Sequence, residues 1–168
     1  MMERYSRKPM RDLWTLDNKY CEWLRVEILA CDAMGLLGQI PPQAVERIRA
    51  NARFNADRIA ELESDLRHDV LAFLTNAGES LGDDAQHLHK GLTSSDVVDT
   101  AQAVILSRAA DMLVEGAVRL VAVLKKQALR YRDLPMMGRT HGMHAEPITL
   151  GLKFALWAFE MDRNRRRL

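Results

Sequence analysis

Four short segments of this chain concentrate the groups that chemistry uses: Arg4-Tyr5-Ser6-Arg7, Arg67-His68-Asp69, His89 to Asp99, and Gly138 to Pro147. The last reads Gly138-Arg139-Thr140-His141-Gly142-Met143-His144-Ala145-Glu146-Pro147, which sets two imidazoles, a guanidinium and a hydroxyl beside glycines that let a ligand approach. Segments equipped in this way usually carry function. Histidine titrates near neutral pH, so it can give or take a proton there, as elimination across a carbon–heteroatom bond requires. His141 is therefore the expected proton-transfer residue. The third segment, His89-Lys90-Gly91-Leu92-Thr93-Ser94-Ser95-Asp96, places hydroxyls and free backbone N–H groups at the mouth of a long helical pattern. That is a natural seat for a carboxylate or phosphate, and an ordinary helix N-cap uses the same residues.

Other chemistries find less support. His141 and His144, with His87 and His89 elsewhere, raise a metal site, but neither an HExxH motif nor a carboxylate cluster accompanies them. GxGxxG, P-loop, GxSxG and zinc-ribbon patterns are absent from the sequence, so redox and ATP-driven chemistry lose ground. Cys21 and Cys31 fall on one predicted helix, about 15 Å apart along its axis, too far for a disulfide, and read as packing residues.

The elements that must position these groups are helical. Leu16, Tyr20, Trp23, Cys31, Met34 and Leu37 recur at helical spacing until Gly38 and Pro41-Pro42 end the run. A short helix follows from Pro42, and Asn55 caps the next, which carries Ile59, Leu62 and Leu66. Arg67-His68-Asp69 interrupts or restarts it, and Val70, Phe73, Leu74, Ala77 and Leu81 continue the stripe to Gly82. Asp83 to Gly91 reads as a polar loop and a candidate boundary.

From Thr93-Ser94-Ser95 to about Tyr131 the pattern predicts one rod of roughly 57 Å. It is apolar around most of its circumference, with a narrow polar stripe through Arg108, Asp111, Glu115 and Arg119. Leu134 to Pro147 is expected to be a loop, and a last helix to start at Ile148. The predicted fold class is all-α: an N-terminal helical domain over 1–91, then the first long helices of a central helical bundle over 92–168. These long helices carry more apolar surface than the short ones can cover, which predicts further sequence, partner subunits or both.

Composition agrees with a globular chain, 48% apolar and 28% charged. Basic and acidic residues number 24 and 23, a net +1, so no global field recruits nucleic acid or an anionic membrane. The arginines from Arg163 to Arg167 read as complements to a helix C-terminus, with a nucleic-acid patch as the alternative. No apolar run approaches the length of a membrane span, and a cytoplasmic protein is the simplest expectation.

Together these segments resemble the fumarase and aspartase superfamily, over essentially the whole chain. The likeness is carried by Glu3-Arg4-Tyr5-Ser6, Val26-Glu27, Arg67-His68-Asp69-Val70, GLTSSDVVDT from Gly91 to Thr100, and GRTHGMHAEP from Gly138 to Pro147. Relatives acting on fumarate, aspartate or argininosuccinate usually have Leu-Gln after the position of His141. Gly142-Met143-His144 here is similar to the purine-pathway branch instead.

The resemblance implies a carbon–nitrogen lyase that β-eliminates fumarate from adenylosuccinate to give AMP, and from the succinyl-carboxamide ribotide SAICAR to give AICAR. It implies His141 as general acid, with His68 as the catalytic residue supporting it. Arg4 and Tyr5 would hold the nucleotide phosphate, and Arg67, His68 and Asp69 would line the nucleotide side. His89 would belong to the same pocket, and Thr93, Ser94 and Thr140 would hold the succinyl carboxylates. No metal and no organic cofactor is implied, and neither a nucleic acid nor a membrane partner. The implied assembly is a homotetramer whose sites draw on several subunits.

In the superfamily the general base is a serine on a Gly-Ser-Ser-x-Met-Pro-x-Lys-x-Asn loop, which does not occur in this sequence. The expectation is therefore a truncated front portion, inactive by itself. Another lyase of the superfamily and a non-catalytic helical interaction module are the alternative readings.

Overall fold

The computed structural model describes residues 3–168. A 3-10 turn, Glu3–Tyr5, leads into α1 (Lys8–Leu13), α2 (Leu16–Leu36), α3 (Pro42–Asn51), α4 (Ala56–Leu66) and α5 (Asp69–Glu79). A second 3-10 turn, Gly82–His87, precedes α6 (Ser94–Arg130), the strands β1 (Pro135–Thr140) and β2 (Met143–Thr149), and α7 (Leu150–Arg167). The chain divides inside α6, between Ser107 and Arg108, into two compact units.

Local chemistry explains the helix ends. Pro42 occupies the first position of α3 as its fixed φ favours. Asn55 caps α4, its Oδ1 accepting the Arg58 N–H at 2.9 Å, and Thr15 caps α2 in the same way through Asn18 at 3.2 Å.

Three expectations need correction. Leu134 to Pro147 is not a loop, because most of it pairs as an antiparallel hairpin. The last helix begins at Leu150 rather than Ile148, since the Thr149 hydroxyl accepts the Leu152 N–H at 3.1 Å and sets the cap there. The polar stretch after Gly82 opens with a 3-10 turn rather than irregular chain.

The first unit packs around an aromatic cluster. Tyr20 stacks on Phe73 with centroids 5.9 Å apart, and Trp23 meets Phe73 edge-on at 5.5 Å. Ile40, Ile48, Ile59 and Val70 close the core, and Val97 and Ala101, one turn apart on α6, reach into it. In the second unit the start of α7 lies against the end of α6. The Gly151 N–H donates to the Tyr131 carbonyl at 2.8 Å, and a Cβ on Gly151 would lie 2.4 Å from the Arg132 Cα, so only glycine permits the approach. Tyr131 stacks on Phe154, which meets Trp157 edge-on. The surplus of apolar surface expected from the sequence is present: Leu113, Val118, Val123, Leu152, Leu156 and Phe159 are exposed. Among the described residues no helix is long and apolar enough to cross a membrane.

The hairpin turns through two residues, His141 and Gly142, with Thr140 paired to Met143. Both turn residues have positive φ, 51° and 76°, the geometry that matches the twist of the flanking strands. Between the pairs Met137–Pro147 and Arg139–His144 the register shifts, so that Gly138 faces both Ala145 and Glu146 in a bulge. A Cβ on Gly138 would lie 2.4 Å from the Glu146 carbonyl oxygen.

Two outcomes follow from this packing. Phe73→Ala should lower the unfolding free energy by about 3–5 kcal/mol, read from the urea midpoint, and a loss below about 1 kcal/mol would mean that the core is not organised on that ring. Gly138→Ala should open the hairpin, read as loss of hydrogen-exchange protection at its paired amides with helix content unchanged. Retained protection would show that the bulge tolerates a side chain.

Candidate active site

Arg67, His68 and Asp69 form the joint between two helices. Arg67 ends α4 in the left-handed region, φ 55°, with its N–H on the Glu63 carbonyl. His68 is extended and caps α5, its Nδ1 accepting the Leu71 N–H at 3.3 Å. Accepting at Nδ1 leaves the ring proton on Nε2, so an exposed imidazole offers a donor outward. Asp69 Oδ1 accepts the Val70 N–H at 2.8 Å and lies 3.8 Å from His68 Nδ1, too far for a hydrogen bond. The interruption expected from sequence is therefore a helix restart that displays an imidazole.

His89 is held differently. Its backbone N–H donates to Glu27 Oε2 at 2.7 Å, and its ring Nδ1 lies 2.7 Å from Glu27 Oε1. Glu27 is fully buried on α2, and sequence reasoning gave it no role. The signal was available: a carboxylate stands on a stripe whose other members, Tyr20, Trp23, Leu24 and Cys31, are core residues. Cys31 beside it is a protonated thiol rather than a nucleophile, since burial first, then Glu27 and Asp32, push it up to about 11.

The mouth of α6 is capped as the plainer reading of the sequence anticipated. The Thr93 N–H and hydroxyl both donate to Asp96 Oδ2, at 2.7 and 2.9 Å, and the Asp96 N–H returns to the Thr93 carbonyl at 3.1 Å. These two donors hold the Asp96 carboxyl below the usual carboxylate range, and His89 adds in the same direction. An anion that used Thr93 as a donor would have to displace Asp96. Ser94 opens the helix and is half-buried. Near the amino terminus Arg4 and Tyr5 are exposed on the first 3-10 turn, the guanidinium 6.0 Å from the phenol ring centroid.

Thr140 and His141 belong to the second unit, the other nominated residues to the first. Both are exposed at the end of the hairpin, and Arg139 braces the turn by donating to the Gly142 carbonyl at 3.3 Å. The hairpin and α7 border an open groove of about 810 Å³ whose polar lining is Arg139, Thr140, Glu146 and Lys153. Among the described residues, the non-glycines with positive φ are Arg67, His89 and His141. All three had been nominated from sequence. Such a conformation costs about 1–3 kcal/mol and tends to cluster where function requires it. Among the same residues no three His, Cys, Asp or Glu side chains gather as a metal site would need.

Known proteins share the sequence and the fold of this chain. Over 167 residues, 99% of the chain, the sequence is 51% identical to adenylosuccinate lyase of Bacillus subtilis (strain 168), and it covers 39% of that enzyme. The crystal structure of a fumarate lyase from Mesorhizobium sp. BNC1 matches 99% of the chain with a TM-score of 0.89 at 26% identity, with 40% of that chain covered. The 3-carboxy-cis,cis-muconate lactonizing enzyme from Pseudomonas putida matches 97% of the chain with a TM-score of 0.91 at 27% identity, again with 39% of its length covered. The chain thus spans about two-fifths of the length of these relatives, and its fold is that of the corresponding part of the two solved structures. The family described as lyase matches residues 2–168, and the chain belongs to that family.

Proposed function

We propose that this chain is the portion of an adenylosuccinate lyase that supplies the general acid and much of the anion-binding surface. The reaction is β-elimination of fumarate from adenylosuccinate, giving AMP, and from SAICAR, giving AICAR. A base outside this chain removes a proton from the carbon next to one succinyl carboxylate. The electron pair of that C–H bond becomes the new double bond, the C–N bond breaks, and its electrons leave on nitrogen. His141 delivers the proton that nitrogen then needs.

The observation that carries this reading is His141 itself, an imidazole in a strained turn at the end of a glycine-keyed hairpin. The 51% identity with an adenylosuccinate lyase supports the choice of reaction. Thr140, Thr93 and Ser94 take the succinyl carboxylates, where fixed donors stabilise the charge that develops. Arg4 and Tyr5 take the nucleotide phosphate. Arg67, His68 and Asp69 line the nucleotide side, His68 is the second catalytic residue, and His89 belongs to the substrate site.

The reaction calls on no metal or organic cofactor. In the proposed organisation residues 1–91 form an N-terminal domain and 92–168 begin a central bundle of a cytoplasmic homotetramer. The exposed apolar faces of α6 and α7 support an assembly of that kind.

In the intact enzyme His141→Ala should lower kcat by at least about a hundredfold, the lower end for general acid catalysis, measured by fumarate release. Near-normal turnover would remove His141 from the role. Arg4→Ala should raise KM for the phosphorylated substrate and leave kcat nearly unchanged. An unaltered KM would place the phosphate elsewhere.

A further inference from the structure

A buried carboxylate costs several kcal/mol unless hydrogen bonds compensate its lost hydration. Glu27 projects into the apolar core of the first unit, where its stripe neighbours are Tyr20, Trp23, Leu24 and Cys31, and a leucine there would pack without that cost. Packing does not account for it. Both of its oxygens are engaged by one residue, His89, 62 positions further along the chain.

The two contacts do different work. An ionised carboxylate only accepts, so the hydrogen between Oε1 and the ring belongs to Nδ1, and Nε2 is left as the outward polar atom of a side chain that is 21% exposed. The backbone contact fixes His89 at φ 56°, from where the chain turns through Gly91 at φ 71° toward Thr93 and Ser94. The His89 carbonyl accepts the Leu92 N–H at 3.2 Å within that turn. One carboxylate thus sets the tautomer of the ring, its direction, and the approach to the mouth of α6.

We infer that Glu27 is a positioning residue of the substrate site, holding His89 as the Nδ1–H tautomer so that Nε2 accepts a hydrogen bond from the substrate. The inference rests on the proposed place of His89 in that site.

Glu27→Gln tests it, because the amide is isosteric but offers one acceptor and one donor. Its oxygen takes the His89 N–H, its NH₂ donates to Nδ1, and the ring proton moves to Nε2. With ¹⁵N-labelled histidine, the chain should report Nδ1–H at His89 and the variant Nε2–H, the signal being assigned by its absence in His89→Gln. In the intact enzyme Glu27→Gln should raise KM about tenfold, as losing one hydrogen bond that Nε2 accepts and leaving the substrate's donor unpaired does, with kcat held within about threefold. Glu27→Asp carries the same test if the amide variant fails to fold. It keeps the proton on Nδ1 but draws the ring inward, and KM must rise.

An unchanged tautomer in Glu27→Gln overturns the inference. So does an unchanged KM in a Glu27 variant when His89→Gln raises KM, and the place of His89 in the site then stands. If His89→Gln also leaves KM unchanged, the place of His89 in the substrate site fails, and the positioning role fails with it.

Discussion

A charged group placed in an apolar core must find partners for each of its oxygens, and the first unit is arranged around one such demand. Helix α2 carries the aromatic residues that centre the core, Tyr20 and Trp23, and one turn further on it carries Glu27. The same rigid rod therefore anchors packing and polar architecture together. Because Glu27 bonds both the backbone and the ring of His89, the segment between Leu88 and Thr93 is tied to the core rather than left to solvent. Val97 and Ala101 then bury the first turns of α6 in that core. The mouth of the longest helix is held from both sides, by a carboxylate before it and apolar contacts after it.

The three left-handed non-glycines give the same logic a second form. A side chain at positive φ crowds its own backbone, so each such residue persists only where its surroundings over-determine it. Arg67 is held by a helix end, His89 by a buried carboxylate, and His141 by a two-residue hairpin turn keyed by the glycine bulge at Gly138. Three unrelated devices produce three side chains displayed at sharp changes of chain direction. Two of those side chains are imidazoles, and the third neighbours one, His68.

The imidazoles differ in the state their partners impose. His68 accepts a helix N–H at Nδ1, which puts its proton on the outward nitrogen, whereas His89 keeps its proton on Nδ1 and donates that N–H to a carboxylate. The outward atoms of the two rings are thus set by local hydrogen bonds rather than by the ring itself. Beyond Ser107, α6 and α7 present leucines, valines and phenylalanine to solvent, and Gly151 lets the two helices touch backbone to backbone.

Much of this was legible in the amino-acid order alone. Helix caps at Asn55 and Thr93, the proline start at Pro42 and the restart at Arg67-His68-Asp69 depend on contacts within one turn, so local chemistry suffices to place them. The unmatched apolar surface of α6 and α7 was likewise a matter of periodicity. The hairpin was not legible, because Pro135, Gly138, Gly142 and Pro147 read as breakers until a register with a bulge gives each of them a place. Nor was the pairing of Glu27 with His89, whose two halves are joined only when α2 and the loop before α6 fold together. A hydrogen bond across 62 residues leaves no periodic trace in the sequence, and only the tertiary structure decides that a buried carboxylate and an imidazole meet.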